Sequence, residues 1–183
     1  DFKHASELVE FIKQFDSKTG GTQFKVFGAC YPERHPESED VMSDIQGLKA
    51  KVDAGATHLI SQLFFDNEKF YRFLERAKLA GINVSIEAGI MPATNKKSIE
   101  RMVSLTNATL PPKFINMMER YGDSPEAIRD AGIAYAVDQI VDLVTNGVDG
   151  IHLYTMNNSY IAKRINEAVR SLFTVAPKDF VIK

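Results

Sequence analysis

The sequence predicts an α/β protein whose parallel sheet is built from successive βα units. Short apolar runs alternate along the chain with stretches in which apolar residues recur every three or four positions. A glycine closes three of these helical stretches, at Gly55, Gly81 and Gly147, shortly before the next apolar run begins. This order of helix, glycine and strand is typical of parallel sheets, in which every strand is reached by a crossover helix.

Composition and charge exclude several classes of protein. The 183 residues are 44% hydrophobic and 25% charged, as in a globular domain, and one domain over residues 1–183 is expected. A net charge of −2 leaves no general basic surface for nucleic acid. Cys30 is a single cysteine, and no apolar run of about 18 residues is present to cross a membrane. We therefore expect a cytoplasmic protein without nucleic-acid or membrane partners.

Four strands are predicted, each after a helix, at residues 23–30, 57–65, 83–92 and 149–157. The helices before the first three strands are predicted at residues 5–16, 40–54 and 67–80.

Each of these helices has an apolar side expected to pack on the sheet. The residues on these sides are Leu8, Val9, Phe11, Ile12 and Phe15 in the first helix, Met42, Ile45, Leu48 and Val52 in the second, and Phe70, Phe73, Leu74 and Ala77 in the third.

The segment after the third strand is longer and contains two short predicted helices, at 95–105 and 111–122, before a helix of more than twenty residues that Gly147 ends. Asp123 and Glu126 predict a capping box at its start, where Pro125 is tolerated in the first turn. The last helix, 159–173, is expected to pack through Ile161, Ile165, Val169 and Leu172.

Functional residues of parallel α/β proteins lie at the carboxyl ends of the strands. The first strand ends in a loop where Pro32 and Pro36 restrict the backbone around Tyr31 and His35, a rigidity that suits contact with a ligand. The alternative is that Tyr31 covers the end of the sheet and His35 hydrogen-bonds its own loop.

The next helix adds Asp44 and Lys51, seven residues apart on one stripe with Gly47, whose small size would admit a flat group. Both charges could equally be solvated surface residues.

Two further polar residues stand out in strands. Gln62 lies in a run predicted to be buried, so its amide either joins a core network or contacts a substrate. Glu87 is the strongest acid/base candidate by position, although surface exposure is the commoner fate of a single carboxylate. No glycine-rich phosphate motif follows a strand, and no zinc spacing or Ser/His/Asp set is found, so no metal site is predicted.

Four segments together resemble the methylenetetrahydrofolate reductase family in order and spacing. They are CYPERHPES, DIQGLKAKVDAGATHLISQLFFD, AGINVSIEAGIMPATN and GIHLYTMNN. The resemblance implies a (βα)8 TIM barrel that binds FAD and uses NADH or NADPH to reduce 5,10-methylenetetrahydrofolate to 5-methyltetrahydrofolate. It also implies that this chain supplies about strands five to eight with their helices, and the start at Asp1 suggests a fragment of a longer protein.

The resemblance assigns roles to particular residues. Tyr31 and His35 match the loop that lies against the flavin, and Asp44 and Lys51 match contacts to the ribityl and phosphate portion of FAD. Ser38, Gly47 and Ala50 match neighbouring cofactor positions. Gln62 matches a residue that contacts folate and nicotinamide in turn. No catalytic residue is assigned within this chain, because the matching acids belong to the other half of the barrel.

Three residues depart from the family pattern. Asn158 replaces a common arginine, Met102 an aromatic residue and Ser98 a glutamine, and these changes concern folate contacts more than flavin contacts. A half-barrel would also expose strand edges, so we expect it to pair with the missing half or with a second copy, as a homo-oligomer, and to be inactive alone. The alternatives are a noncatalytic flavin-binding or assembly module and an unrelated βα-barrel enzyme acting on a phosphorylated metabolite.

Overall fold

A computed structural model describes residues 2–20, 24–106 and 108–175. In chain order its elements are α1 (Ala5–Thr19), β1 (Phe27–Cys30), α2 (Val41–Asp53), β2 (His58–Ser61), α3 (Asn67–Leu79), β3 (Ser85–Ile90), α4 (Lys96–Thr106), α5 (Pro112–Tyr121), α6 (Pro125–Thr145), β4 (Gly150–Leu153) and α7 (Ser159–Val169), with a 3-10 turn at Arg170–Thr174.

The four strands form one parallel sheet in the order β1-β2-β3-β4. Sequential neighbours in the chain are therefore neighbours in the sheet, and every crossover contains at least one helix. The predicted α/β fold with a parallel sheet is confirmed, and this arrangement is consistent with a TIM-barrel type of fold. All four carboxyl ends lie at the same edge of the sheet.

Helices cover one face of the sheet. Leu59, Ile86 and Ala88 lie in register on that face and pack with Phe70 and Phe73 of α3 in the larger hydrophobic cluster. A second cluster forms beyond the strand ends, where Leu63, Phe65 and Met91 pack against the α4–α6 segment. The predicted apolar sides of α3 and α7 are buried as expected.

The opposite face and the β1 edge expose apolar side chains. Phe27 stacks on His58 with ring centroids 4.7 Å apart, yet 49% of its surface is exposed. Between α1 and the start of β1 lies an apolar groove of about 380 Å³, lined by Phe11, Ile12, Phe15, Phe24, Lys25, Val26 and Phe27. The apolar side predicted for α1 is thus largely exposed, with only Val9 buried.

Several predicted boundaries are wrong by a few residues. The strands are shorter than predicted because backbone pairing stops where the chain turns into the loops, as at Ser61, and residue 23 of the first prediction lies outside the described residues. Beyond Ser61 the side chains do not alternate as in a strand, since Phe64 joins Leu59 in the larger cluster while Leu63 and Phe65 belong to the second. The last helix gives way to the 3-10 turn after Val169.

Two predictions about side chains are also corrected. Met42 is exposed, because α2 turns it away from the sheet while Ile45 and Leu48 are buried. The cap of α6 is Ser124, whose hydroxyl accepts a hydrogen bond from the Ala127 N–H, so Asp123 and Glu126 do not form the capping box. Pro125 takes the first helical position, which places the cap one residue later than predicted.

The predicted glycine signals are confirmed. Gly55, Gly81 and Gly147 all have positive φ and follow the ends of α2, α3 and α6. In the part of the chain that the structure describes, no helix is long and apolar enough to cross a membrane.

Candidate functional site

An open cavity of about 530 Å³ lies between the loop after β1, the helix α2 and the start of α1. All of the residues that the sequence assigned to cofactor binding line it: Tyr31, His35, Ser38, Asp44, Gly47, Ala50 and Lys51. Its volume falls within the range of about 300–1,000 Å³ that is usual for cofactor sites. The structure thus brings together residues from two separate elements that the sequence could only place in order.

The proline-bracketed loop is held by short-range contacts. The rings of Tyr31 and His35 meet edge to face with centroids 4.5 Å apart. His35 Nδ1 accepts a hydrogen bond from the Glu37 N–H at 3.1 Å, so the histidine does bond its own loop while also lining the cavity. Arg34 adopts a φ of 86°, a conformation uncommon outside glycine, asparagine and aspartate.

Helix α2 lines the cavity along most of its length, from Ser43 to Lys51. Asp40 and Ser43 form a capping box that fixes the start of the helix. One turn further, the Asp44 carboxylate accepts a hydrogen bond from the Ser38 hydroxyl at 3.0 Å, which joins α2 to the loop. Asp44 and Ser38 are both half-buried, so this carboxylate is not simply a solvated surface charge.

Lys51 lies on the same side of α2, and its Nζ donates to the Ala29 carbonyl at 2.6 Å. Partial burial lowers the pKa of this ammonium below its ordinary 10.5, against the opposing influence of Cys30 and Asp44. Burial also raises the pKa of the Cys30 thiol to about 12, so the neighbouring cysteine stays neutral at physiological pH. Lys51 is therefore a cation that gains from an anionic ligand.

Two glycines bear on the cavity, since Gly47 lines it and Gly28 lies against the stem of Lys51. A Cβ built on Gly47 would meet no protein atom within 4 Å, so the packing of the protein does not require glycine there. Gly28 differs, since a Cβ would come within 2.8 Å of Lys51 Cδ and displace the lysine stem. Gly47 leaves room for a ligand against α2, whereas Gly28 leaves room for Lys51.

The start of α1 completes the cavity with residues that the sequence reasoning missed. Lys3, His4, Ala5 and Ser6 line it. The N-cap His4 makes no side-chain capping bond. Free N–H groups and the helix dipole make such a terminus favourable for an anion such as phosphate. Two basic residues, Lys3 and His4, stand just before a predicted helix and could have indicated an anion site. The sequence did not show that this helix end faces the loop after β1.

Gln62 follows β2 directly and is half-buried. Its N–H donates to the Cys30 carbonyl at 2.7 Å, and its Oε1 accepts from the Leu63 N–H at 2.9 Å. The prediction that it lies inside a strand is wrong, because β2 ends at Ser61. Gln62 does not line the large cavity but adjoins Cys30 of its wall.

The backbone beside Gln62 is fixed by neighbouring strands. Ser61 Oγ accepts from the Gly89 N–H at 2.8 Å, and the Tyr154 hydroxyl donates to the Ser61 carbonyl at 3.0 Å. A Cβ on Gly89 would lie 2.1 Å from the Ser61 oxygen, so only glycine allows this approach.

Glu87 lies early in β3 and lines neither the large cavity nor the smaller one at the ends of β3 and β4. Its Oε2 is 3.8 Å from His152 Nδ1 on the neighbouring strand. It is placed on the open face of the sheet, where its position does not support the acid/base role considered from the sequence.

The smaller cavity, of about 110 Å³, lies at the carboxyl ends of β3 and β4. Ser98 and Asn158 line it. Asn158 caps α7, where its Oδ1 accepts from the Ile161 N–H at 3.2 Å. Met102 packs against the second hydrophobic cluster instead. Within the described residues, no group of three or more potential metal-ligating side chains is found.

Comparison with known proteins identifies the family. The sequence matches the methylenetetrahydrofolate reductase profile over residues 1–170. The chain belongs to this family. The resemblance read from the four sequence segments is thereby confirmed.

Relatives within the family are found in bacteria and eukaryotes. The chain is 36% identical over 162 residues to the 5,10-methylenetetrahydrofolate reductase of Escherichia coli, covering 88% of this chain and 53% of the relative. It is 35% identical over 165 residues to methylenetetrahydrofolate reductase (NADH) 1 of Arabidopsis thaliana, covering 85% of this chain and 27% of that protein. The chain thus spans about half the length of the bacterial relatives it matches.

A solved structure shares the fold. It is an uncharacterized protein from Clostridium thermocellum, described as binding two copies of 5-methyl-5,6,7,8-tetrahydrofolic acid. The TM-score is 0.57 at 18% identity, over 84% of this chain and 55% of that one. At this identity the similarity supports the α/β fold of the family member.

Proposed function

We propose that this chain is the flavin-binding part of a methylenetetrahydrofolate reductase, which reduces 5,10-methylenetetrahydrofolate to 5-methyltetrahydrofolate with NADH or NADPH. The observation that supports this most is the large cavity, in which every residue matched to a cofactor contact meets. Membership of the family supplies the reaction. FAD supplies the hydride-carrying chemistry when bound.

The lining of the cavity fits the two chemically different ends of FAD. Lys51, Lys3 and the start of α1 offer positive charge and free N–H groups for the diphosphate. Tyr31 and His35 offer aromatic surface for the flavin ring. Asp44, oriented by Ser38, accepts hydrogen bonds from ribityl hydroxyls. Gly47 lets the ligand lie close to α2.

Gln62 is the residue proposed to contact folate and nicotinamide. It adjoins the wall of the large cavity through Cys30, whose carbonyl accepts from the Gln62 backbone N–H, and its side-chain Oε1 accepts from the Leu63 N–H. An amide offers both a donor and an acceptor, so one side chain can hydrogen-bond two different substrates in turn. The protein groups therefore bind and orient the reactants.

We further propose that the chain supplies strands five to eight of a barrel. A second segment, similar to the part of the relatives that this chain does not match, would cover its open side. The β1 edge, the exposed Phe27 and the apolar groove beside α1 form one continuous unpaired surface. A further strand and helix would pair with β1 and fill this groove.

The test is a titration of the purified chain with FAD, followed by flavin fluorescence, alone and with the unmatched remainder of the Escherichia coli relative added. We expect saturable binding that the added segment strengthens. Lys51→Ala should raise the Kd for FAD about 10-fold or more, because a hydrogen bond to a charged group contributes about 1.5–3 kcal/mol. Lys49→Ala is the control, since Lys49 pairs with Asp53 on α2 and does not line the cavity.

The outcomes separate the possibilities. The reductase is supported if NADH oxidation becomes coupled to the reduction of methylenetetrahydrofolate once the second segment is present. FAD binding without turnover in that mixture would support a noncatalytic flavin-binding module. Equal binding of FAD and simple phosphates, without preference for the flavin, would contradict the proposal and support a phosphometabolite enzyme. Sedimentation distinguishes pairing with the added segment from pairing with a second copy.

A further inference from the structure

We infer that Arg76, Glu33 and Thr109 are positioning residues that hold the proline-bracketed loop, residues 31–39, as a fixed wall of the large cavity. This inference rests on the proposed function for its link to FAD, while the loop contacts stand independently of it. None of the three residues lines the cavity. They act from behind the loop, through Tyr31 and His35.

Arg76 reaches the loop from α3. One terminal nitrogen of its guanidinium, Nη2, donates to the Pro32 carbonyl at 3.1 Å, across 44 positions of sequence. Its Nε is buried and has no hydrogen-bond partner among the described residues. A buried N–H without a partner is unfavourable, so packing alone does not explain an arginine here. The contact with Pro32 accounts for the guanidinium.

Glu33 ties the same loop to the connection between α4 and α5. Its carboxylate accepts hydrogen bonds from the Thr109 N–H, at 2.9 Å, and from the Thr109 hydroxyl. Two hydrogen bonds to one residue restrain the direction of the carboxylate as well as its distance. The loop is therefore held from α3 on one side and from the α4–α5 connection on the other.

Inside the loop, the Arg34 guanidinium donates to the carbonyls of Ser38 and Glu39. Arg34 itself has the unfavourable φ of 86°, which persists only where the surroundings enforce it. The two external ties and this internal bridge together keep the loop in a conformation it would otherwise leave. Tyr31 and His35 keep their edge-to-face arrangement for the same reason.

The test compares Arg76→Met and Glu33→Ala with two controls in the purified chain. Arg72→Met changes an exposed arginine one turn earlier in α3, and Glu39→Ala removes an exposed carboxylate from the same loop. Hydrogen exchange is measured at the Arg34 and Ser38 amides, which donate within the loop. We expect exchange about 10-fold faster in the positioning variants and unchanged in the controls.

Ligand affinity provides a second measurement, in which a general loss of structure and a loosened loop give different results. FAD and ADP are titrated in parallel, since ADP lacks the flavin ring while retaining a diphosphate. The positioning variants should weaken FAD about 10-fold, the size expected for loosening one or two hydrogen bonds, and leave ADP unchanged because Lys51 lies on α2. Thr109→Val should reproduce part of the loss, and Thr109→Ser should restore wild-type affinity because it keeps the hydroxyl.

Each result decides the inference. Unchanged exchange in folded Arg76→Met and Glu33→Ala, or equal changes in the controls, would overturn it. Equal loss of FAD and ADP affinity would also overturn it, because the effect would not be confined to the ring side of the cavity. Failure of the wild-type chain to bind FAD would contradict the proposed function, and the exchange rates would then decide the positioning of the loop by themselves.

Discussion

The two cavities at the strand ends differ in how their residues are used. The large cavity beside α2 collects the charged and aromatic side chains that the sequence resemblance assigned to the cofactor, and a Cβ at Gly47 there would meet no protein atom within 4 Å. In the smaller cavity at β3 and β4, Asn158 serves as a helix cap. Gly47 has no packing reason to be glycine and therefore points to ligand binding, whereas the side chain of Asn158 is used as a helix cap.

Gly89 packs against the end of β2 and against Tyr154, which lines the smaller cavity, and replacing Gly89 should have the largest effect. In Gly89→Ala the new Cβ would meet the Ser61 carbonyl and the Tyr154 ring, at 2.1 and 2.8 Å. We expect a loss of about 3 kcal/mol in the free energy of unfolding, a fall in Tm of about 6–12 °C. Calorimetry measures this. A Tm within 2 °C of wild type would show that the ends of β2 and β3 move apart at little cost.

Alkaline pH should weaken the binding of FAD in the large cavity. Burial lowers the Lys51 pKa below 10.5, so as the pH rises through that lowered value the lysine loses the charge that attracts diphosphate. The Kd for FAD should therefore be flat near pH 7 and rise as the pH approaches the lowered pKa of Lys51. Fluorescence titrations across this range check it. In Lys51→Ala the rise should disappear, and its persistence there would assign the titration to another group.

Asn158→Ala should destabilise the end of the smaller cavity without affecting FAD. Losing the hydrogen bond from the Ile161 N–H costs about 1 kcal/mol, a fall in Tm of about 2–4 °C. Asn158→Ser keeps a capping oxygen and should retain the wild-type Tm. Thermal melts and FAD titrations of both variants separate stability from binding. An equal loss of stability in the two variants would contradict the capping role.

Gly47→Ala should give the smallest effect and the sharpest contrast with Gly89. Alanine is favoured over glycine inside a helix by about 0.5–1 kcal/mol, and a Cβ at Gly47 meets no protein atom within 4 Å. We expect a slightly higher Tm together with weaker FAD binding, because the methyl group occupies the space assigned to the ligand. Higher stability with unchanged FAD affinity would contradict the proposal that the cofactor lies against α2.

Local signals in the sequence carried most of the fold. The alternation of helices and strands and the glycines after α2, α3 and α6 depend on neighbouring residues, and the structure confirms them. The prediction that the apolar side of α1 is buried was wrong, because burial depends on whether another segment covers that side of the helix. The predicted cap of α6 was wrong because Asp123 and Ser124 are adjacent and are equally suitable capping residues. Pro125 occupies the first helical position, which makes Ser124 the cap.

The sequence by itself determined the order of the elements, the family and seven of the residues that line the large cavity, since each rests on local patterns or on the order and spacing of motifs. Only the tertiary structure decided that the start of α1 closes this cavity and that Arg76 and Thr109 hold its loop, across 44 and 76 residues of chain. These contacts arise where packed helices and loops bring distant segments together. Hydrogen bonds between such segments leave no periodic signal in the sequence.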